Sequence, residues 1–230
     1  MLTADAAEKL WEELSTRYNL EWAPIQVGQV KLEILQIRDL EDFLVSNIET
    51  QGLSLENFPY WAMVWDAALV LADFLVKQTP HTDRKILEIG AGLGFAGLCA
   101  AARGHHVTLT DNTPDALAFT QLSLFHNNLN NAHVEYLDWS DPVLDGNFDW
   151  IIASDILYEV KNFDQVVKVF SKYLKPGGKI YLTQGIRGTG PKTFFDLLKP
   201  DYSVRFQEKK LHSGDEEKKI LFFEIQPKTN

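Results

Sequence analysis

Cysteine is almost missing from this chain. Cys99 stands alone in 230 residues, which leaves no internal disulfide and no paired-cysteine metal site. Long apolar runs are missing as well: the longest, Ala67 to Val76, is interrupted by Asp73 and is too short for a membrane span. The first residues, Met1-Leu-Thr-Ala-Asp, hold no basic segment leading into an apolar one, so no secretory signal is expected there. Low-complexity stretches, internal repeats and Pro/Ser/Gly-rich linkers do not occur. Basic charge is in short supply, with 22 Lys and Arg against 32 Asp and Glu and a formal net charge of −10. A field of that sign repels phosphate backbones, so nucleic acid is not an expected partner, whereas basic proteins or cationic small molecules suit it. The six histidines are scattered, with only His105 and His106 adjacent, and no metal site is expected from them. A cytoplasmic protein with no membrane partner is the expectation.

What the chain does hold is 45% hydrophobic, 12% aromatic and 23% charged residues, enough for one substantial core. Residues 1–59 read as a small α+β extension packed on that core. It comprises a helix over about Ala4–Tyr18, strands at Pro24–Val27 and Lys31–Ile37, and a helix from Asp39 to about Glu49. An aromatic turn, Phe58-Pro-Tyr-Trp61, precedes an amphipathic helix ending near Lys77, whose Val64, Ala68, Leu71 and Leu75 build one apolar face. From Arg84 strands and helices alternate. Strands are expected at Lys85–Ile89, His106–Thr110, Val134–Leu137, Trp150–Ala153 and Lys179–Thr183. Helices are expected over Gly94–Arg103, from an N-cap at Thr113 with Pro114 behind it to about Asn128, over Phe163–Leu174, and near Lys192–Leu198. In the second of these helices Ala118, Leu122, Phe125 and Leu129 form the expected core stripe. Two last strands, Ser203–Lys209 and Lys219–Ile225, flank the polar loop Leu211–Glu217 and suit an antiparallel hairpin. Repeated βα units imply a doubly wound, Rossmann-like α/β sandwich whose sheet is mostly parallel, with the hairpin at one edge.

Leu87-Glu-Ile-Gly-Ala-Gly-Leu-Gly94 joins the first of these strands to its helix. Gly90 and Gly92 permit a tight turn and close approach of a ligand, and the helix start behind them offers free N–H groups. Asp111 closes the next strand, 21 residues past Gly90, where a carboxylate holds a ribose diol. Loop and acid together predict a nucleoside-containing cofactor. The dinucleotide fingerprint would need Gly or Ala where this chain has Phe95, and Glu88 suits a cationic amino-acid head better than a pyrophosphate.

The pattern Glu88-x-Gly90-x-Gly92-x-Gly94 resembles motif I of the class I methyltransferases that use S-adenosyl-L-methionine (SAM), and Lys175-Pro-Gly-Gly178 before a strand is similar to the same superfamily. Val64-Trp65-Asp66-Ala67-Ala68-Leu69-Val70-Leu71 resembles a segment of the family 16 protein methyltransferases, seven-β-strand enzymes acting mostly on protein lysines. Asp155-Ile-Leu-Tyr158 resembles that family's D-x-x-Y after the fourth strand, and Leu137-Asp-Trp139 its adenine-side L-x-W. The resemblance implies a SAM-dependent methyltransferase domain over residues 60–230. It assigns Gly90 and Gly92 to the methionine end of SAM, Asp111 to its ribose, and Asp138 and Trp139 to its adenine. Trp65 is then packed over the cofactor, with Ser154 and Asp155 at the exit of the fourth strand. Each residue also has a structural alternative. Trp65 and Tyr158 suit a core, Asp138 a loop cap, Asp111 a turn and Asp155 a helix N-cap.

Asp155 and Tyr158 sit at a strand's carboxyl end beside the glycine loop, at the switch-point crevice of such a sheet. There a carboxylate orients a substrate amine and offsets the repulsion between two cations, and the tyrosine walls the site. A nearby carboxylate also favours the ammonium form, so Asp155 is assigned to orientation and charge balance rather than to strong base catalysis. The prolines found at this place in enzymes of planar nitrogens are absent, which disfavours adenine and amide substrates. The expected function is methyl transfer from SAM to a lysine amine of a protein. A small-molecule N- or O-methyltransferase, a non-catalytic SAM-binding interaction protein and, more remotely, a nicotinamide oxidoreductase stand as alternatives. The N-terminal extension is expected over or beside the cofactor mouth.

Overall fold

The computed structural model describes residues 2–51, 58–186, 190–213 and 216–228. Helix α1 (Ala4–Ser15) starts where the Thr3 hydroxyl accepts the Ala6 N–H. A hairpin of its own follows, β1 (Leu20–Val27) paired antiparallel with β2 (Val30–Ile37), and leads into α2 (Leu40–Gln51). Helix α3 (Asp66–Lys77) then opens the main body. There β3 (Lys85–Ile89), α4 (Phe95–Arg103), β4 (His106–Asp111), α5 (Pro114–His126) and β5 (Ala132–Tyr136) alternate. The chain continues through β6 (Phe148–Ser154), α6 (Phe163–Tyr173), β7 (Leu174–Gly185), α7 (Gly190–Leu198), β8 (Tyr202–Ser213) and β9 (Glu216–Pro227).

Seven strands form one sheet in the order β5-β4-β3-β6-β7-β9-β8. Every pair from β5 to β7 is parallel, and β9 runs antiparallel to both β7 and β8. The pleat sends alternate residues to two cores. Ile86, Leu109, Trp150, Ile152 and Phe222 meet α3 and α4 on one face, while Leu87, Ile89, Ile151, Ala153, Leu182 and Phe223 meet α6 and α7 on the other. The sheet reverses its winding between β3 and β6, with β4 and β5 on one side and β7 on the other, as a doubly wound fold requires, and this opens a crevice at the strands' carboxyl ends. The β1–β2 hairpin and α1 cover the outer side of α3, α4 and α5, where Leu14, Leu35, Phe119 and Leu122 form a third apolar cluster. No helix of the described residues is long and apolar enough to cross a membrane.

Several local expectations need correction. Strand β1 begins at Leu20, four residues before Pro24, because the full hairpin ladder extends to Leu20–Ile37. The stripe Ala118, Leu122, Phe125, Leu129 is not the core face of α5. Phe125 is 41% exposed, and the buried set is Ala116, Phe119, Thr120, Leu122, Ser123 and Leu124, because the helix is covered by the sheet on one side and by β2 and α1 on another. Thr113 precedes α5 without capping it through its hydroxyl. Its N–H instead donates to Asp111 Oδ1 at 2.9 Å. Lys175-Pro-Gly-Gly178 is not a turn before β7 but part of it, since Leu174 already pairs with Phe148 and the register shifts between Phe148 and Trp150. The last hairpin is longer than expected. The ladder reaches Ser213 and resumes at Glu216, so most of the expected loop is paired, and residues 214–215 lie outside the described residues.

Candidate active site

A cavity of about 580 Å³ lies at the carboxyl ends of β3, β4 and β6, covered by residues 58–65. Its floor is the glycine loop. Gly90 and Gly92 have φ of +62° and +55°. A Cβ on Gly90 would stand 3.1 Å from the Trp139 ring and 3.0 Å from Ile156, and one on Gly92 would stand 3.1 Å from the Trp61 carbonyl oxygen. The two glycines therefore leave a cradle that any side chain would fill. The Gly92 N–H donates to Asp111 Oδ2 at 2.9 Å, so the acid at the end of β4 fixes the loop while facing the cavity. Burial pushes the Asp111 carboxyl above the usual range, and the N–H groups of Gly92 and Thr113 oppose that shift.

On one side of the floor, Asp138 and Trp139 follow β5. Asp138 Oδ1 accepts both the N–H and the hydroxyl of Ser140 at 2.8 Å, bonds that hold its carboxyl below the usual range. Asp138 thus caps its loop and lines the cavity at once.

On the other side, Ser154 and Asp155 end β6. Asp155 has φ of +52°, a left-handed conformation that Asp tolerates better than most side chains. Its Oδ1 accepts the Gln184 side-chain amide and the Gly185 N–H, both at 2.8 Å, and Gln184 Oε1 accepts the Leu157 N–H at 3.0 Å. The turn after β6 is therefore clamped to the end of β7, and the N-cap of α6 is Asn162 and not Asp155. Tyr158 is 53% exposed and not a core residue; its ring stacks on Tyr60 with centroids 5.0 Å apart. Burial of its inner part and the adjacent Glu159 raise its phenol, which stays protonated at neutral pH. Trp65 is half-buried at the start of α3, and its indole N–H donates to the Tyr60 carbonyl at 2.9 Å.

Of the ten residues singled out in the sequence, nine line this one cavity: Trp65, Gly90, Gly92, Asp111, Asp138, Trp139, Ser154, Asp155 and Tyr158. Glu88 does not. The pleat puts it on the same side as Ile86, beneath α4, where Oε2 accepts the Gly97 N–H at 3.0 Å. A Cβ at Gly97 would overlap that carboxylate. Burial first, and the nearby Asp111 second, raise Glu88 to about 8. Of the expected extension over residues 1–59, none of residues 2–51 lines the cavity. Phe58, Tyr60 and Trp61 do, and the run Phe58-Pro-Tyr-Trp61 just ahead of Val64-Trp65 was the available signal for them. Gln184 and Gly185 carried no signal, because their role arises only from pairing between β6 and β7.

The cavity wall carries Asp111, Asp138, Asp155 and Glu159 against Lys161, a balance that favours a cationic ligand. Its volume lies in the range of cofactor clefts, and the glycine cradle, the indole against Gly90 and the buried acid of β4 fit a nucleoside with a short charged tail. Among the described residues, no group of three or more His, Cys, Asp or Glu is arranged to hold a metal ion.

Comparison with known proteins agrees with this geometry. The family model described as lysine methyltransferase matches residues 59–201. EEF1A lysine methyltransferase 3 of Mus musculus is 36% identical over 148 residues, covering 61% of this chain and 63% of the relative. Protein N-lysine methyltransferase METTL21A of Xenopus tropicalis is 29% identical over 149 residues, 62% of this chain and 69% of the relative. The match thus spans less than two thirds of the mouse protein's length. Among solved structures, the ribosomal protein L11 methylase of Lactobacillus delbrueckii subsp. bulgaricus superposes with a TM-score of 0.55 at 18% identity, covering 73% of this chain and 81% of that one; the likeness is one of fold.

Proposed function

This chain belongs to the lysine methyltransferase family, and from that premise we propose that it transfers a methyl group from SAM to the side-chain amine of a lysine in a protein partner. The observation that carries the proposal is the gathering of the glycine cradle, Asp111, Trp139 and the Asp155–Tyr158 turn in one acid-lined cavity. When bound, SAM supplies a methyl group on a cationic sulfonium, ready for in-line displacement.

The chain's own residues then have distinct tasks. Gly90 and Gly92 admit the amino-acid end of the cofactor against the backbone, Asp111 holds the ribose, and Asp138 and Trp139 flank the adenine. Trp65 covers the cofactor from the side of α3, and Ser154 lines the exit of β6. Asp155, fixed through Gln184 and Gly185, orients the substrate amine and balances two positive charges brought together. Its charge favours the ammonium form, so the amine loses its proton to water and not to this carboxylate. Tyr158 offers a neutral hydroxyl to the nitrogen, and with Tyr60 it shields the site from bulk water. The net charge of −10 suits a basic partner surface and not nucleic acid or an anionic membrane. A cytoplasmic setting belongs to the same proposal, in keeping with a lone, buried and free Cys99.

The test is transfer of isotope-labelled methyl from SAM into a size-fractionated cell extract, comparing the parent chain with Asp155→Ala. Label in one protein band that vanishes with the variant is the expected result. Label confined to the small-molecule fraction would overturn the protein substrate, and no transfer in any fraction would overturn the activity.

A further inference from the structure

The segment covering the glycine loop is itself held down from outside the cavity, and several of the contacts that do so converge on one helix. Helix α5 carries Asp115 and Phe119 one turn apart on one face, with Thr120 beside Phe119 turned toward the glycine loop. Asp115 accepts the Tyr18 hydroxyl and receives Arg17 Nη1 on both carboxylate oxygens at 2.7 Å. Phe119, fully buried, meets the edges of Tyr18 and Trp61, with centroids 5.5 and 5.2 Å away. Thr120 donates its hydroxyl to the Gly92 carbonyl at 3.0 Å. Tyr18 closes the circuit by packing edge-on against Trp61 at 5.9 Å, and the Trp61 carbonyl stands over Gly92.

Gly92 is the loop residue whose N–H fixes Asp111. A Cβ there would meet the Trp61 carbonyl oxygen at 3.1 Å, tighter than ordinary contact, so a shift of this segment by a fraction of an ångström changes the cradle directly. Tyr18 lines no part of the cavity and reaches it through Trp61 directly and through α5, whose Thr120 bonds the Gly92 carbonyl.

We propose that Tyr18 is a positioning residue for the cofactor loop: from the N-terminal extension it presses Trp61 onto Gly92 across α5, and so sets the affinity for the nucleoside. The proposal deepens the methyltransferase assignment and rests on it for the identity of the ligand, but not for the mechanical link. The extension then has a reason to pack where it does, on the back of the glycine loop's cover and not in the cavity.

The experiment compares the full-length parent chain with Tyr18→Phe, Tyr18→Ala and Tyr18→Leu. The last of these keeps apolar bulk should the alanine variant fold poorly. Two readouts are taken well below each unfolding midpoint: calorimetric affinity for S-adenosyl-L-homocysteine, and amide hydrogen exchange without ligand. The expected result is a loss of affinity of about tenfold in Tyr18→Ala and Tyr18→Leu, with Tyr18→Phe, which keeps the ring, within about threefold of the parent. Exchange should rise about tenfold in residues 60–65 and 90–94 of the same two variants, with little change in β6 and β7.

Unchanged exchange in both segments would overturn the link, because Tyr18 would then only stabilise the fold. So would a lowered unfolding midpoint with parental affinity. If the parent itself binds no S-adenosyl-L-homocysteine while exchange still rises as expected, the mechanical link stands. The cofactor assignment, and with it the affinity half of the proposal, is then overturned.

Discussion

Two carboxyl groups at neighbouring strand ends show how environment divides their work. Glu88 lies one residue before the end of β3 and Asp155 one residue past the end of β6, adjacent strands of one sheet, yet Glu88 is sealed beneath α4 and Asp155 faces the cavity. Burial raises Glu88 from its ordinary 4.5 to about 8. The folded chain therefore holds a proton that the unfolded chain gives up between those values. The stability linked to this group is fully present below about pH 4.5 and is lost as pH rises through 8. Glu88→Gln keeps an acceptor for the Gly97 N–H and cannot ionise. Relative to the parent, the variant is expected to be similar near pH 5 and to gain in unfolding midpoint as the pH is raised to 8.5. Parallel curves in thermal scans across that range would count against a buried, protonated Glu88.

For Asp155 the charge matters and so does the backbone. Asp155→Asn retains an oxygen for Gly185 and a residue type tolerant of φ at +52°, so it should fold like the parent while transfer falls about a hundredfold. Asp155→Ala adds backbone strain and should cost about 1 kcal/mol more stability than Asn in denaturant titration.

Among the elements, α5 carries the clearest lesson. Its sequence spacing points to Phe125 as part of a core stripe, but Phe125 is 41% exposed while Phe119 is fully buried among Tyr18, Trp61 and Leu122. A helix covered on two sides has no single stripe, so a search for one period selects part of the right surface and part of the wrong one. Phe119→Ala is expected to cost about 3–5 kcal/mol in denaturant unfolding, and Phe125→Ala less than about 1. Equal costs would contradict the packing of α5.

The same contrast between local and non-local information runs through the rest of the molecule. β3, the glycine loop, α4 and β4 were legible because each is set by short-range signals: a continuous apolar run, glycines at left-handed φ, and an acid at the next strand end. Of the positions gathered in the cavity, Gly90, Gly92 and Asp111 were legible for the same reason, whereas Trp65, Asp138, Trp139, Ser154, Asp155 and Tyr158 were singled out by the resemblance of their segments to a known family. Glu88 was assigned to the ligand because its motif position suggested so, while the two-residue period of β3 turns it under α4. The clamp from Gln184 and Gly185 on Asp155, and the pressure of Tyr18 on Trp61, depend on residues about 30 and 43 positions apart in the chain and left no local trace.

On the scale of the whole molecule, three apolar clusters share one purpose. Two line the faces of the sheet, and the third seats the N-terminal hairpin and α1 against α5, leaving the strands' carboxyl ends to the cavity. The surplus of 32 acids over 22 bases surrounds that opening with a field that draws in cations. Association with a basic protein partner should therefore slow as salt is raised from low to physiological ionic strength, and a salt-independent association rate in stopped-flow mixing would argue against such a partner. The distribution of tryptophan over the same architecture has an optical consequence. Of six indoles, Trp61, Trp65 and Trp139 stand in the cavity wall, Trp11 and Trp22 stack together on the extension, and Trp150 lies in the core under α3. The indoles of this chain are thus divided evenly between those that a guest would touch and those that it would not. Occupancy should be readable without any label, as a spectral change that originates in the three indoles of the cavity wall.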